Sequence, residues 1–443
     1  MYFFEDFLKL FFYFFDQFYN RKYISEANKF IRKRKMSFED YIVYILVQQG
    51  CTNYIEAIRF FTKFKSNVFQ TISSQAIGKQ RQFILPKLFD HMNEVFIDSL
   101  YDKFTNYSKN KGFIICACDG SIMDLPNVIL TRKEFPNNEK TQLKPKPIRA
   151  RVSCFLNIYS EHILTSKIVE REIDEISLAI EHLENLKNRF NLEKFITIYD
   201  RGYVSKKLMI KTMDLNSKFI IRLKKSDFKS QREKMKSNDE IIEIKLTKTF
   251  LNRLNDNRLK EKYEKIGWIK IRIVNVELKN GTIETLATNL TNEEFNSDEL
   301  KLLYGKRWTI ETGFDKLKNS VQIEEFSGTR RVIIEQDFYA HIFIYNLAIT
   351  IRNDAKNRIH RKKRNKDSNI HYLPNFAKII GNIYHFFFDL ITGSPSEKSA
   401  IITFLIKQAS KQLTQENLDK KIDKERKIPD LGNKHPGNKK KTH

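Results

Sequence analysis

Two apolar runs that each stop on an aspartate constrain this chain most. The first, GFIICACDGS, ends its apolar stretch at Asp119; the second, FITIYDRGYVS, ends at Asp200. Short runs rich in β-branched and aromatic residues and bounded by glycine read as buried strands. Between them, ARVSCFLNIYS and HILTSKIVE read as two strands meeting in a hairpin at Glu161-His162, followed by an amphipathic helix over 174–190. After Asp200 come a helix beginning near Val204 and a further buried strand, KFIIRLKK. Strand, hairpin, helix, strand, helix, strand is the order of an α/β sheet. Ligands of open α/β sheets bind at the carboxyl ends of strands, where both aspartates fall.

The flanking texture differs. Residues 1–108 read as all-helical, with SFEDYIVYILVQQG carrying a Ser cap at one end and Gly50 at the other. The aromatic lead, MYFFEDFLKLFFYFFDQFYN, is interrupted by Glu5, Asp6, Lys9 and Asp16. It is too broken for a membrane span and is expected to pack on the body or on a second subunit. SSQAIGKQR reads as a turn and a short basic helix, a candidate for insertion into a DNA groove. Residues 226–292 alternate apolar and polar positions around an Asn280-Gly281 turn, the pattern of a mostly antiparallel β insertion. Beyond residue 355 the chain reads as helical and basic, with a charge run near RIHRKKRNKDSN and a basic, disordered tail. The apolar helices from Tyr372 to Leu413 either finish the core or offer a dimer contact.

With 79 Lys and Arg against 54 Asp and Glu, the net charge is +25. Such an excess favours a polyanionic partner, nucleic acid before membrane surface, although a coding bias toward Lys contributes. The four cysteines, Cys51, Cys116, Cys118 and Cys154, have no zinc-ligand spacing and read as small buried hydrophobes. No P-loop, GxGxxG or GxSxG is present, which leaves nucleotide-fuelled and Ser-hydrolase chemistry without support.

YGKRWTIETGFDKLK then adds Tyr304, Arg307, Glu311 and Lys318. On a regular helix these fall within a stripe about 60° wide, with Leu303, Ile310, Phe314 and Leu317 on the packing side. Trp308 falls off the stripe and reads as core. A carboxylate among cations suits a site for a metal ion and a phosphate together; a charged, solvated helix face is the other reading. Asp119, Asp200 and Glu311 come from three elements. If they meet in space, they can bridge two hard divalent cations; as separate turn, cap and surface residues they would do nothing of the kind. Asp124, two residues before Pro126, reads as a turn residue.

These motifs resemble the DDE transposases of bacterial insertion sequences, specifically the insertion-sequence-four family. YGKRWTIETGFDKLK matches that family's Tyr-x2-Arg-x3-Glu-x6-Lys signature, DGS at Asp119 looks like its first acidic motif and YDRGYVS at Asp200 like its second. The similarity spans roughly residues 70–350. It implies a ribonuclease-H-like core in two parts, 109–225 and 293–355. A β insertion at 226–292 would interrupt the core, between a helical DNA-binding region at 1–108 and a helical C-terminal region at 356–443. It also implies a catalytic, metal-binding triad of Asp119, Asp200 and Glu311 with two Mg²⁺ ions, for which Mn²⁺ can substitute. Tyr304, Arg307 and Lys318 would hold DNA phosphates; Arg201 is placed for another, or for a salt bridge.

The activity implied is cut-and-paste transposition. The protein would bind terminal inverted repeats, cleave them and join the 3′-OH ends to target DNA. It would work as a homodimer in a synaptic complex, in the cytoplasm on the nucleoid and without a membrane. The alternatives are a catalytically inactive or domesticated DNA-binding derivative, and a nuclease without strand transfer.

Overall fold

The computed structural model describes residues 4–13, 15–32, 34–65, 71–104, 109–136, 147–278, 280–362 and 372–415. Most of the loop before β3, the charge run after Lys362 and the basic tail therefore lie outside the described residues.

The N-terminal region is helical. It comprises α1 (Glu5–Tyr13), α2 (Phe38–Leu46), α3 (Asn53–Phe64), α4 (Ser74–Arg81) and α5 (Lys87–Lys103). Helix α2 starts where the sequence signals it: Ser37 and Asp40 form a reciprocal capping box. The aromatic lead packs on the body. Phe7 and Phe11 meet Phe96 of α5 edge-on, and Phe11 also lies against Phe343. The backbone N–H groups of Phe4 and Glu5 donate to the Asp354 carboxylate.

Next come β1 (Lys109–Asn110), β2 (Phe113–Asp124), α6 (Ile129–Glu134), β3 (Arg149–Asn157), β4 (Ile163–Glu170) and α7 (Glu175–Lys187). They are followed by β5 (Phe195–Tyr199), α8 (Lys206–Asp214) and β6 (Lys218–Arg222). The segment expected as β insertion contains β7 (Asp239–Lys245), β8 (Trp268–Glu277) and β9 (Ile283–Thr288). It also holds three short helices, α9 (Lys229–Arg232), α10 (Lys248–Leu251) and α11 (Asn257–Ile266), which the alternating pattern did not suggest.

Among the described residues one mixed sheet runs β4-β3-β2-β5-β6-β9-β8-β7, with β1 paired to the start of β2. The β4-β3-β2 edge is antiparallel, β2-β5-β6 is parallel, and β9-β8-β7 continues from β6 as antiparallel strands. The molecule is thus mixed α/β, with a central mixed sheet and many helices.

Strand alternation assigns the sheet its two layers. On β3, Ser153 and Phe155 meet His182 of α7, whereas a Cβ on Gly313 would press on Leu156. One face therefore carries α7, and the other carries α13 (Thr309–Lys316). Helix α13 is the middle of a long helical segment that begins with α12 (Ser297–Gly305). The segment tightens to a 3₁₀ turn over Lys306–Trp308 and ends in a π turn over Leu317–Val321. Leu303, Ile310, Phe314 and Leu317 are buried along it.

Behind it runs α14 (Arg331–Lys362), a 32-residue helix about 48 Å long at 1.5 Å per residue whose stretch from Ile342 to Ala355 is mostly buried. It packs on α2, α5 and β4. The short pair β10 (Tyr372–Pro374) and β11 (Leu413–Gln415) brackets α15 (Phe376–Thr392) and α16 (Pro395–Lys411). Both helices bury apolar faces against α14, and α16 also meets α1, so within this chain they complete the core. Among the described residues no helix is long and apolar enough to cross a membrane.

Candidate active site

The two strand-end aspartates are brought side by side by register. In the parallel pair β2/β5, Ala117 lies opposite Ile198, two residues before Asp119 and Asp200 respectively. Strand β2 continues past β5 to Asp124, so Asp119 stands where the pairing stops and an opening forms.

Asp119 lies opposite Cys154 of β3 and therefore points to the α13 face; Gly120 lies opposite Ser153 and points to the α7 face. On the α13 side, Arg307 reaches both acids. Its guanidinium is 3.5 Å from Asp119 Oδ2 and donates to Glu311 Oε1 at 2.8 Å. On the α7 side, Glu175 in the first helical turn closes over Gly120. A Cβ there would sit 2.9 Å from Glu175 Oε1, so a side chain at this position would push the Glu175 carboxylate aside. Glu175 is in turn ion-paired with Arg151. Asp200 caps a 3₁₀ turn, accepting from the Gly202 N–H.

The result is an open cleft of about 780 Å³ whose lining includes Asp119, Glu175, Asp200 and Glu311 with Arg201, Lys224 and Arg307. Burial pushes the Asp119 carboxyl up to about 6. The Gly120 N–H and Arg307 oppose the shift, and the negative charges of Asp200 and Glu175 add to it. Arg307 is nearly enclosed, and among the described residues its Nε has no hydrogen-bond partner.

Four carboxylates around one opening are the donor chemistry of a hard divalent cation, and a cation would offset the charges that raise Asp119. Among the described residues no three Asp, Glu, His or Cys side chains already enclose an ion position. The donors thus fit such an ion by type, with Arg307 now satisfying two of them.

Of the other expected site residues, Tyr304 and Lys318 are not part of the cleft lining, although Tyr304 lies close enough to Arg307 and Asp200 to feel their charges. Tyr304 is buried at the end of α12, and burial raises its hydroxyl. Lys318, in the π turn, donates to the Ile122 carbonyl at 2.8 Å. The four signature side chains therefore do not share one exposed stripe: Tyr304 and Arg307 are buried, and Lys318 lies in the π turn. Arg201 is exposed in the cleft, and among the described residues no carboxylate pairs with it. Trp308, expected in the core, is 54% exposed on the 3₁₀ turn, with the Arg307 guanidinium 5.4 Å from its ring centre. Asp124 pairs with Arg149 at 2.8 Å. Glu175 and Lys224 were not anticipated. Lys224 was within reach of the strand-end rule, since it lies two residues past the end of β6; Glu175 looked like an ordinary first-turn acid.

Residues 155–347 match the profile of the transposase DDE domain family. Asp200 and Glu311 fall inside the matched span and Asp119 before it. No curated protein matches the chain. A solved synaptic complex of the piggyBac transposase with hairpin DNA aligns over 94% of this chain and 86% of its own, at 12% identity and a TM-score of 0.43, a likeness too loose to assign anything. What the family match supports, for the segment carrying Asp200 and Glu311, is a DDE transposase.

Proposed function

We propose that this protein is a DNA transposase of the insertion-sequence-four kind. It would bind the inverted repeats of its element, cut there and join the freed 3′-OH ends to target DNA. One observation carries the reading. Asp119, Asp200 and Glu311, drawn from three elements, line a single cleft together with Arg201, Lys224 and Arg307.

In this reading the three acids hold two divalent ions, Mg²⁺ or in its place Mn²⁺, with Glu175 beside them. When bound, such ions activate a water or a 3′-hydroxyl and stabilise the leaving 3′-oxygen of a phosphodiester. Arg201, Lys224 and Arg307 hold the phosphates that flank the scissile bond, and Arg307 exchanges its present carboxylates for them. Tyr304 and Lys318 keep the phosphate role that the signature implies, which requires Lys318 to leave the Ile122 carbonyl. The mixed sheet with acids at its carboxyl edge supports a ribonuclease-H-like core at 109–225 and 293–355, interrupted by the 226–292 segment. Residues 1–108 would bind DNA, and action as a homodimer on the nucleoid belongs to the same proposal.

The test is cleavage of a labelled duplex carrying the element's inverted repeat, with Mg²⁺ or with chelator. Glu311→Gln keeps the hydrogen bond to Arg307 and removes the charge. Metal-dependent nicking at the repeat boundary that the variant loses, with DNA binding retained, is the expected outcome. Normal cutting by Glu311→Gln would overturn the triad. Tight binding without cutting by either protein would leave a binding-only derivative.

A further inference from the structure

A groove lined by charge of one sign lies away from the cleft. It is open, about 700 Å³ in volume, and runs between the segment around 28–34, the C-terminal half of α4 and Arg330, just before α14. Five of its twelve lining residues are Lys29, Arg32, Arg34, Lys79 and Arg330, and none is acidic. The cleft, by contrast, sets four acids against three cations. Arg32, Arg34, Lys79 and Arg330 are exposed, and among the described residues none pairs with a carboxylate. Lys29 is held over the Phe83 ring at 4.2 Å and beside Glu26. The amides of Asn28, Gln80 and Gln82 complete the polar lining.

Unpaired like charges brought together from three stretches of chain repel one another and persist only at a net cost, unless an anion takes them up. The anion is extended rather than small. Four of the five cations are solvent-exposed and the five come from three stretches of chain, with no enclosed polar group in the lining to fix one phosphate. The same geometry argues against α4 as a reading head in a major groove. Ile77 and Arg81 face inward, and Arg81 is 1% exposed, spent on Asp337, Ser327 and Gln336. Of α4, Gly78, Lys79 and Gln80 alone line the groove, so its one cation there is placed for backbone contact.

We propose that this groove is a sequence-independent track for the phosphate backbone of duplex DNA, separate from the catalytic cleft. The choice of duplex as occupant rests on the transposase reading. Contact here fixes the protein on DNA of any sequence, so discrimination of an inverted repeat arises elsewhere.

The test is fluorescence anisotropy on the full-length chain, in chelator, with a labelled duplex lacking any inverted repeat, across a series of salt concentrations. The groove variant is Arg32→Ala, Arg34→Ala, Lys79→Ala. A charge-matched control removes three exposed lysines of the 226–292 segment: Lys234→Ala, Lys236→Ala, Lys248→Ala. Each phosphate contact adds about 0.9 to the slope of log affinity against log salt. The groove variant should therefore lose up to about 3 from that slope and at least tenfold in affinity, while the control keeps the slope. A repeat-bearing duplex should lose the same slope. Equal losses in groove and control variants, or an unchanged slope, would overturn the proposal. So would tighter, groove-dependent binding of phosphatidylserine vesicles than of duplex, which would make the occupant a membrane surface. No cleavage is measured, so loss of the groove and failure of the catalytic triad are read separately.

Discussion

Replacing Arg81 with methionine probes how the helical N-terminal region is joined to the rest of the chain. Arg81 and Asp337 are 1% and 2% exposed, and their side chains meet at 2.6 Å. The same guanidinium donates to Gln336 Oε1 at 2.9 Å and Ser327 Oγ at 2.5 Å, and Asn53 donates to the Ser327 carbonyl. Methionine fills most of the arginine stem's volume but removes the charge, so the buried Asp337 carboxylate loses the Arg81 guanidinium while keeping the Ser327 N–H and hydroxyl. Breaking one side of a buried pair costs about 3–5 kcal/mol. At about 2 °C per kcal/mol for a large domain, the thermal midpoint should fall by about 6–10 °C. Adding Asp337→Leu removes the carboxylate as well and should restore part of the loss, because a buried ion pair exchanged for apolar groups is often near neutral, although the Ser327 N–H then loses its acceptor. The assay is thermal and urea unfolding of parent, single and double variants, with duplex binding measured alongside. A shift below about 2 °C in the single variant would refute the account, since a solvated surface arginine costs that little. A selective loss of DNA binding at unchanged stability would instead return Arg81 to the DNA-contacting face of α4.

Three further outcomes follow from local geometry and charge. Gly313→Ala places a Cβ 2.6 Å from Leu156 Cδ1, two residues beyond Glu311. Urea unfolding should show a loss of about 1–3 kcal/mol, and cleavage should fall tenfold or more, while a Leu156→Ala partner recovers part of both. Gly120→Ala should impair cleavage by displacing Glu175, and Glu175→Ala should relieve that effect more than it helps the parent; equal effects in both backgrounds would show the two residues do not interact. Asp90 is pushed up to about 7 by burial, with the Glu94 charge adding to the rise. Its folded value lies above the unfolded one, so its contribution to stability is full below about pH 4 and is lost as pH rises through 7. Asp90→Asn should therefore be near neutral at pH 4 and stabilising at pH 8, with a ceiling of about 4 kcal/mol from three pKa units. Equal stability changes at the two pH values would remove that assignment.

What the chain disclosed in advance was whatever its neighbours in sequence decide. The apolar runs ending at Asp119 and Asp200 became β2 and β5, and the Ser cap before α2 closed a capping box with Asp40. Two residues at i and i+4 on a helix, Arg307 and Glu311, formed the pair their spacing allows. Helix α11 escaped although its signals were local. Asp256 caps it, Gly267 ends it in a left-handed conformation, and Leu259 and Tyr263 bury one face. Strand-like alternation on either side simply outweighed them.

The remaining misses are of another kind. Arg81 looked like part of a basic helix, because the partner that buries it lies 256 residues away. Glu175 looked like a first-turn acid beside the Asp174 cap, and only the pleat of β2, which turns Gly120 toward α7, brings it to the cleft. Arg307 joins the two kinds. Its bond to Glu311 is written in the spacing of the signature, but its reach to Asp119 depends on which face of β2 the register assigns to that residue. In the proposed function that second contact is the one that matters. A cation held between two acids in the absence of DNA is one that a phosphate can compete for, and its release would leave Asp119 and Glu311 with unbalanced charge just as a substrate arrives.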